Sequence, residues 1–264
     1  MTLLTFPIPK FKNLNQIRAT FRFILLISWG LISTIVLLFI SVFSFFLPKK
    51  NKLGKFLAHK YFNLFLRGVH FFGGMKIHWH GEPPKSAHVM MGNHRSYVDA
   101  VVLPVSFPVV FVARHETKSW PIVGWGASLL GTIWVKRDKK ESRRATRAAV
   151  RDRLGDGYGV VIFPEGTTAK GPELLPYHKG MFYTCAENSF PIAPAAIEFK
   201  DPDLAWVNRE MFIPHAFRHF GMKKVEIHVS FGPSFSGTDA EQLLEDVRNW
   251  TQKECYRLRK EIDG

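Results

Sequence analysis

The stretch Asn93-His94-Arg95-Ser96-Tyr97-Val98-Asp99 places an imidazole five residues before a carboxylate. Among eleven histidines, only His94 has an aspartate at that spacing. On one continuous helix, side chains five apart point about 140° away from each other and could not meet. They meet if His94 sits in a loop and Asp99 in the first turn of the helix that follows. The carboxylate then accepts from one ring nitrogen and fixes the tautomer, and the other nitrogen is left to take a proton. The same residues also have a structural use. Ser96-x-x-Asp99 has the form of a capping box, and an acid suits a helix N-terminus in any case. The spacing alone leaves both uses open. No Gly-x-Ser-x-Gly elbow occurs, so a base at His94 would act on a substrate hydroxyl rather than on a protein nucleophile.

A second cluster closes an apolar run. Val160-Val161-Ile162-Phe163 reads as a buried strand, and Pro164-Glu165-Gly166-Thr167-Thr168 as the turn that ends it. Gly166 would let the backbone approach a ligand, and the neighbouring amides could form an anion nest. Glu165 would stand at the C-terminal edge of the sheet, where open α/β sheets bind ligands. The alternative is an ordinary strand-ending turn with a satisfied acid. Metal chemistry is weakly signalled. His78 and His80 would share one face of a strand, and His88 and His94 follow, but no cysteine or acid completes a ligand set, so no metal is expected. The two cysteines, Cys185 and Cys255, have neither metal spacing nor a disulfide framework.

These residues need a scaffold, and the pattern around them is alternating α/β. Strands are expected at His88–Met91, Val109–Ala113, Thr132–Val135, Val160–Phe163, Ile192–Phe199 and Val225–Phe231. Helical stretches are expected at Val98–Leu103, Pro121–Leu130, Glu141–Leu154, Lys179–Glu187 and Ala240–Lys260. Such alternation predicts a mostly parallel sheet flanked by helices. Pro202–Pro214 is the least periodic stretch and reads as an insertion near the active face.

The N-terminus differs from the rest. The chain of 264 residues carries a net charge of +14, and residues 1–81 hold 11 Lys/Arg and no acid. That excess flanks an apolar run instead of lying on the folded domain, which argues against a nucleic-acid partner. Phe23–Leu47 contains no charge over 25 residues. As a helix it measures about 37 Å against a hydrocarbon core of about 30 Å, enough to cross with tilt or to insert as a bent helix. Arg18 and Arg22 precede it, and Lys49, Lys50, Lys52 and Lys55 follow. A basic amphipathic helix over 52–72 comes next, suited to anionic headgroups. Residues 1–75 thus form a membrane-anchoring helical region and 76–264 a catalytic domain. A further basic cluster runs from Lys136 to Arg153.

Taken together, Asn93-His94-x4-Asp99 and Phe163-Pro164-Glu165-Gly166-Thr167 resemble the glycerolipid acyltransferases of the 1-acylglycerol-3-phosphate type. Val112-Ala113-Arg114-His115-Glu116, Gly131-Thr132-Ile133-Trp134-Val135-Lys136-Arg137-Asp138 and Phe190-Pro191-Ile192-Ala193-Pro194 are similar to further blocks of that family, in the same order. The resemblance spans about residues 85–200. It implies a membrane enzyme that moves a fatty acyl group from acyl-CoA or acyl carrier protein to a lysolipid hydroxyl, with no metal and no cofactor. It implies His94 and Asp99 as catalytic residues, and Arg114, Arg137, Glu165, Gly166 and Thr167 as substrate-binding ones. It places the catalytic domain on the cytoplasmic face of a bacterial inner membrane. Thr168 stands where the family commonly has arginine, which removes one cation for an acceptor phosphate. Lysophosphatidate is the expected acceptor, held by Arg114 and Arg137, with a lyso-ornithine lipid or another lysophospholipid as the alternative.

Overall fold

The computed structural model describes residues 14–46, 53–103, 107–136, 140–207 and 210–264. Two helices come first, α1 (Leu14–Phe45) and α2 (Leu53–Gly73). Then follow β1 (Met75–His80), β2 (Val89–Gly92), β3 (Val109–Arg114), α3 (Val123–Leu129), β4 (Ile133–Val135), α4 (Lys140–Gly155) and β5 (Gly159–Ile162). The chain ends with α5 (Gly180–Asn188), β6 (Ile192–Phe199), α6 (Phe212–Gly221), β7 (Val225–Phe231) and α7 (Ala240–Asp263). The seven strands form one sheet in the order β1-β7-β6-β2-β5-β3-β4. From β6 to β4 all neighbours are parallel; β7 pairs antiparallel with β6 and carries β1 alongside it. Mostly parallel is therefore correct, with a two-strand edge running the other way.

Both faces of the sheet are covered, so its central strands are apolar without alternation. On one face Val89, Val160, Ile192 and Ala196 pack with Phe182 of α5 and with Leu243, Val247 and Leu258 of α7. On the other, Met90, Val161, Ile197 and Ile227 pack with Phe62 and Leu66 of α2. Each such large side chain contributes about 1.5–3 kcal/mol by leaving water. Because α2 supplies part of this core, buried contacts cross the boundary between the N-terminal region and the catalytic domain.

Three expectations change. The stretch Val98–Leu103 is a single 3-10 turn, Tyr97–Val101, not an α-helix. The supposed insertion holds a 3-10 turn at Pro202–Leu204 and runs into the start of α6: Pro214 lies in its first turn, where a missing N–H costs nothing. Its weak periodicity hid it. Arg18 and Arg22, read as flanking cations of a membrane segment, instead dock α1 onto the end of α6. Arg18 donates to the Gly221 carbonyl at 2.7 Å, and Arg22 to the carbonyls of Phe220, Met222 and Lys223. A helix C-terminus leaves such carbonyls without internal partners, and two guanidiniums supply them here. Lys49, Lys50 and Lys52 lie outside the described residues.

Farther along, α1 packs back on α2: Trp29 Nε1 donates to the Phe65 carbonyl at 3.0 Å, and Ser44 sits against Gly54. Gly30 of α1 takes the side chain of Ile122, just ahead of α3. The opposite flank of α1 exposes Phe21, Ile24, Leu31, Ile35 and Phe39. By length and composition α1 is able to cross a membrane, and it is the one such helix among the described residues.

Candidate active site

β2 stops at Gly92, while its neighbour β6 continues to Phe199. Asn93 fills the missing rung. Its side-chain amide donates to the Ile197 carbonyl at 2.8 Å and accepts from the Ile197 amide at 2.7 Å, as a peptide group would. The chain then turns out of the sheet at His94 and enters the 3-10 turn capped by Ser96. Asp99 lies in that turn and is fully buried. Its Oδ2 accepts from His94 Nδ1 at 2.8 Å, from the Arg95 amide at 2.5 Å and from the Ser96 amide at 2.8 Å. The His94 ring lies flat on Phe163, with centroids 4.2 Å apart. Its side chain is 21% exposed, open enough to be reached from outside. With Nδ1–H donating to Asp99, Nε2 carries the lone pair.

Glu165 follows β5, which is the parallel neighbour of β2, so both loops leave the sheet at the same edge. It has a structural task as well. Glu165 is buried, and each oxygen is taken by a main-chain amide: Oε1 by His94 and Oε2 by Leu175, both at 2.8 Å. It braces the His94 loop. Burial pushes its pKa up, against the pull of those two amides and of Arg95 and His94. Gly166 has φ +71°, which only glycine adopts readily, and its amide closes the turn on the Phe163 carbonyl at 3.0 Å. Thr167, beside it, is exposed.

Beneath this loop lies an ion-pair network that the motif did not announce. Arg95 is 1% exposed; its Nε and Nη2 both donate to Glu198 Oε1, at 3.1 and 2.5 Å. Glu198 Oε2 accepts from Arg259 of α7 at 3.1 Å. Gly171 passes directly over the Arg95 guanidinium, where any Cβ would collide with it. The loop is thereby tied to β6, to the turn after β5 and to α7.

Arg114 ends β3 at the same sheet edge and is exposed. Arg137 lies outside the described residues. The Thr168 hydroxyl donates to the Trp206 carbonyl, and the Trp206 amide donates to the Arg95 carbonyl at 2.8 Å. Lys170, two residues beyond Thr168, pairs with Asp203. Trp206, Phe212, Trp120 and Tyr97 build an aromatic wall there. His88 pairs with Ser86 at the opposite end of β2, and His78 and His80 lie on β1, so these three do not join His94.

Residues 76–198 match the family model described as Acyltransferase. The chain is 32% identical to a lyso-ornithine lipid O-acyltransferase of Rhizobium meliloti, over 70% of this chain and 67% of that protein. It is 30% identical to one of Rhodobacter capsulatus, over 49% of this chain and 48% of that protein. To a 1-acyl-sn-glycerol-3-phosphate acyltransferase of Neisseria meningitidis it is 28% identical, over 54% and 58%. Among these curated relatives the matched part spans about half to two thirds of their length. The fold is similar to the crystal structure of the 1-acyl-sn-glycerophosphate acyltransferase PlsC from Thermotoga maritima, with a TM-score of 0.73, covering 93% of this chain and 96% of that one at 17% identity.

Proposed function

This chain belongs to the glycerolipid acyltransferase family, and we propose that it transfers a fatty acyl group from a thioester to the free hydroxyl of a lysolipid. The observation that carries this is the His94 Nδ1–Asp99 Oδ2 bond at 2.8 Å, with the ring accessible and the carboxylate buried. His94 Nε2 takes the proton of the acceptor hydroxyl as its oxygen attacks the thioester carbonyl carbon. Asp99 stabilises the imidazolium that forms. The tetrahedral intermediate, held by main-chain amides near the site, expels the thiolate, and His94 returns the proton to that sulfur. No acyl-enzyme is needed. Both cysteines are buried, and burial pushes Cys185 up to about 12 and Cys255 well above its ordinary value, so neither supplies a thiolate.

For the acceptor, the geometry favours a lyso-ornithine lipid over lysophosphatidate. Thr168 and Lys170 are both engaged within the protein, so neither is offered to an acceptor phosphate. An amino-acid head group asks for one cation at its carboxylate, and Arg114 is available for it. The names of the relatives in Rhizobium and Rhodobacter support the same choice. The donor is acyl-CoA or acyl carrier protein, met by the exposed Arg144 and Arg151 of α4.

The protein works at a membrane surface. One flank of α1 is held by α2, α6 and the segment before α3, and the other is exposed and apolar. That asymmetry fits a helix lying in one leaflet, with the active edge facing the cytoplasmic interface where thioester donors are found. Acyl transfer by wild type and His94→Ala, with both acceptors and both donors, tests the proposal. Undiminished transfer by His94→Ala removes the general base. Wild-type preference for lysophosphatidate by about tenfold or more, a gap of about 1.4 kcal/mol, overturns the acceptor.

A further inference from the structure

At the opposite edge of the sheet from β4, three ligand-type side chains converge that the transfer mechanism does not use. β1 and β7 pair in register, His78 beside His228, and both side chains face α7. His78 stacks on His228 with centroids 4.4 Å apart. His80, two residues on and on the same face, brings Nε2 to 3.2 Å from His228 Nδ1. The last turns of α7 bring Glu261, whose Oε1 is 3.8 Å from His80 Nε2. All three ligand atoms lie within 4.8 Å of one another. Glu82, the acid nearest to His78 and His80 in sequence, pairs with Lys85; the fold supplies another from the far end of the chain.

We propose that His80, His228 and Glu261 form a binding site for a borderline divalent transition metal, foremost Zn2+. Two imidazoles and a carboxylate are its common donor set, with water completing a tetrahedron. Tetrahedral Zn2+ with Zn–N of about 2.0–2.1 Å sets its ligand atoms about 3.3–3.4 Å apart. The 3.2 and 3.8 Å separations bracket that value. Each ring ligates by keeping its single proton on the other nitrogen, so binding needs no net proton release from the imidazoles. Arg257 donates to Glu261 Oε2 at 2.7 Å, which orients the carboxylate with Oε1 toward the histidines. The site is reachable, since the His80 side chain is 23% and that of Glu261 43% exposed. A bound ion would pin the end of α7 to the sheet edge. Arg259 of that helix holds Glu198, the register partner of His228.

The test is zinc binding by the full chain in detergent after stripping with a chelator. Equilibrium dialysis is expected to give one Zn2+ per chain at neutral pH, with a raised unfolding midpoint. Cobalt at the same site should show the intense visible absorption of four-coordinate Co2+. Glu261→Gln, at an exposed position that does not endanger folding, and His80→Asn should each weaken binding by at least the about 10- to 100-fold that even an outer partner costs. His88→Asn, away from the cluster, should leave it unchanged. Absence of stoichiometric binding by wild type, or binding that survives both His80→Asn and Glu261→Gln, overturns the site and leaves only a hydrogen-bonded histidine pair.

Discussion

The carboxylate oxygen Asp99 Oδ2, 2.8 Å from His94 Nδ1, is the same atom that caps the 3-10 turn through the Ser96 amide. Cap and base-orienting partner are therefore not alternatives. The turn holds the carboxylate still, and the still carboxylate holds the imidazole. All the donors converge on Oδ2, while Oδ1 is buried with no partner among the described residues.

Asp99→Asn separates charge from geometry. An amide oxygen in place of Oδ2 still accepts from both backbone amides, so the turn should form, with the amide nitrogen buried at a cost of about 1–3 kcal/mol. Turnover should drop by about 10²–10⁴-fold because the imidazolium loses its counter-charge. Steady-state rates beside a thermal melt check this; a folded Asp99→Asn of near wild-type rate would reduce Asp99 to a cap.

Removing Arg95 strips the buried Glu198 of one of its two guanidinium partners and leaves it Arg259 alone. Arg95→Met should destabilise the protein by about 3–5 kcal/mol, whereas adding Glu198→Met should restore part of that loss. Denaturant midpoints of the single and double variants decide it. Equal destabilisation of both would show that the network does not act as a pair.

His219 in α6 is fully buried, and neither ring nitrogen has a partner among the described residues. Burial, aided by the charges of His215, Arg218 and Arg22, depresses its pKa from 6.5 to about 3. Between those values the unfolded chain binds the extra proton, so stability rises with pH and is lost on acidification. The slope is at most about 1.4 kcal/mol per pH unit. His219→Leu should flatten urea midpoints measured across that window. Parallel profiles for variant and wild type would refute the assignment.

Deleting α1 is a poor test of membrane attachment, because Arg18 and Arg22 hold α6 through its main chain. Ile24→Glu together with Ile35→Glu changes only the exposed flank. Each acid costs about 2.5–3.5 kcal/mol in the apolar layer, so the protein should shift toward the soluble fraction while staying folded. Unchanged sedimentation with vesicles would contradict burial of that flank in lipid.

Thr168→Arg introduces a cation beside the candidate head-group site. It should improve use of lysophosphatidate relative to a lyso-ornithine lipid by about ten- to a hundredfold, the value of about 1.5–3 kcal/mol for one charge-assisted hydrogen bond. The change should appear in apparent acceptor affinity. No shift between the two acceptors would place the head group elsewhere.

What the amino-acid sequence determined by itself is local. The five-residue spacing of His94 and Asp99 admits a bond only across a loop and a first turn, and that is where they lie. Unbroken apolar runs such as Val160–Ile162 announced strands covered on both faces, and the 25 uncharged residues from Phe23 to Leu47 announced α1. Periodicity reports which face is apolar, however, and not what that face meets. Tertiary structure alone decided that Glu165 is spent on two amides, that Arg18 and Arg22 finish a helix some two hundred residues away, and that Glu261 arrives beside His80. Single polar contacts between distant segments carry no period, and a lone arginine or glutamate looks the same in sequence whether solvent or a buried partner satisfies it.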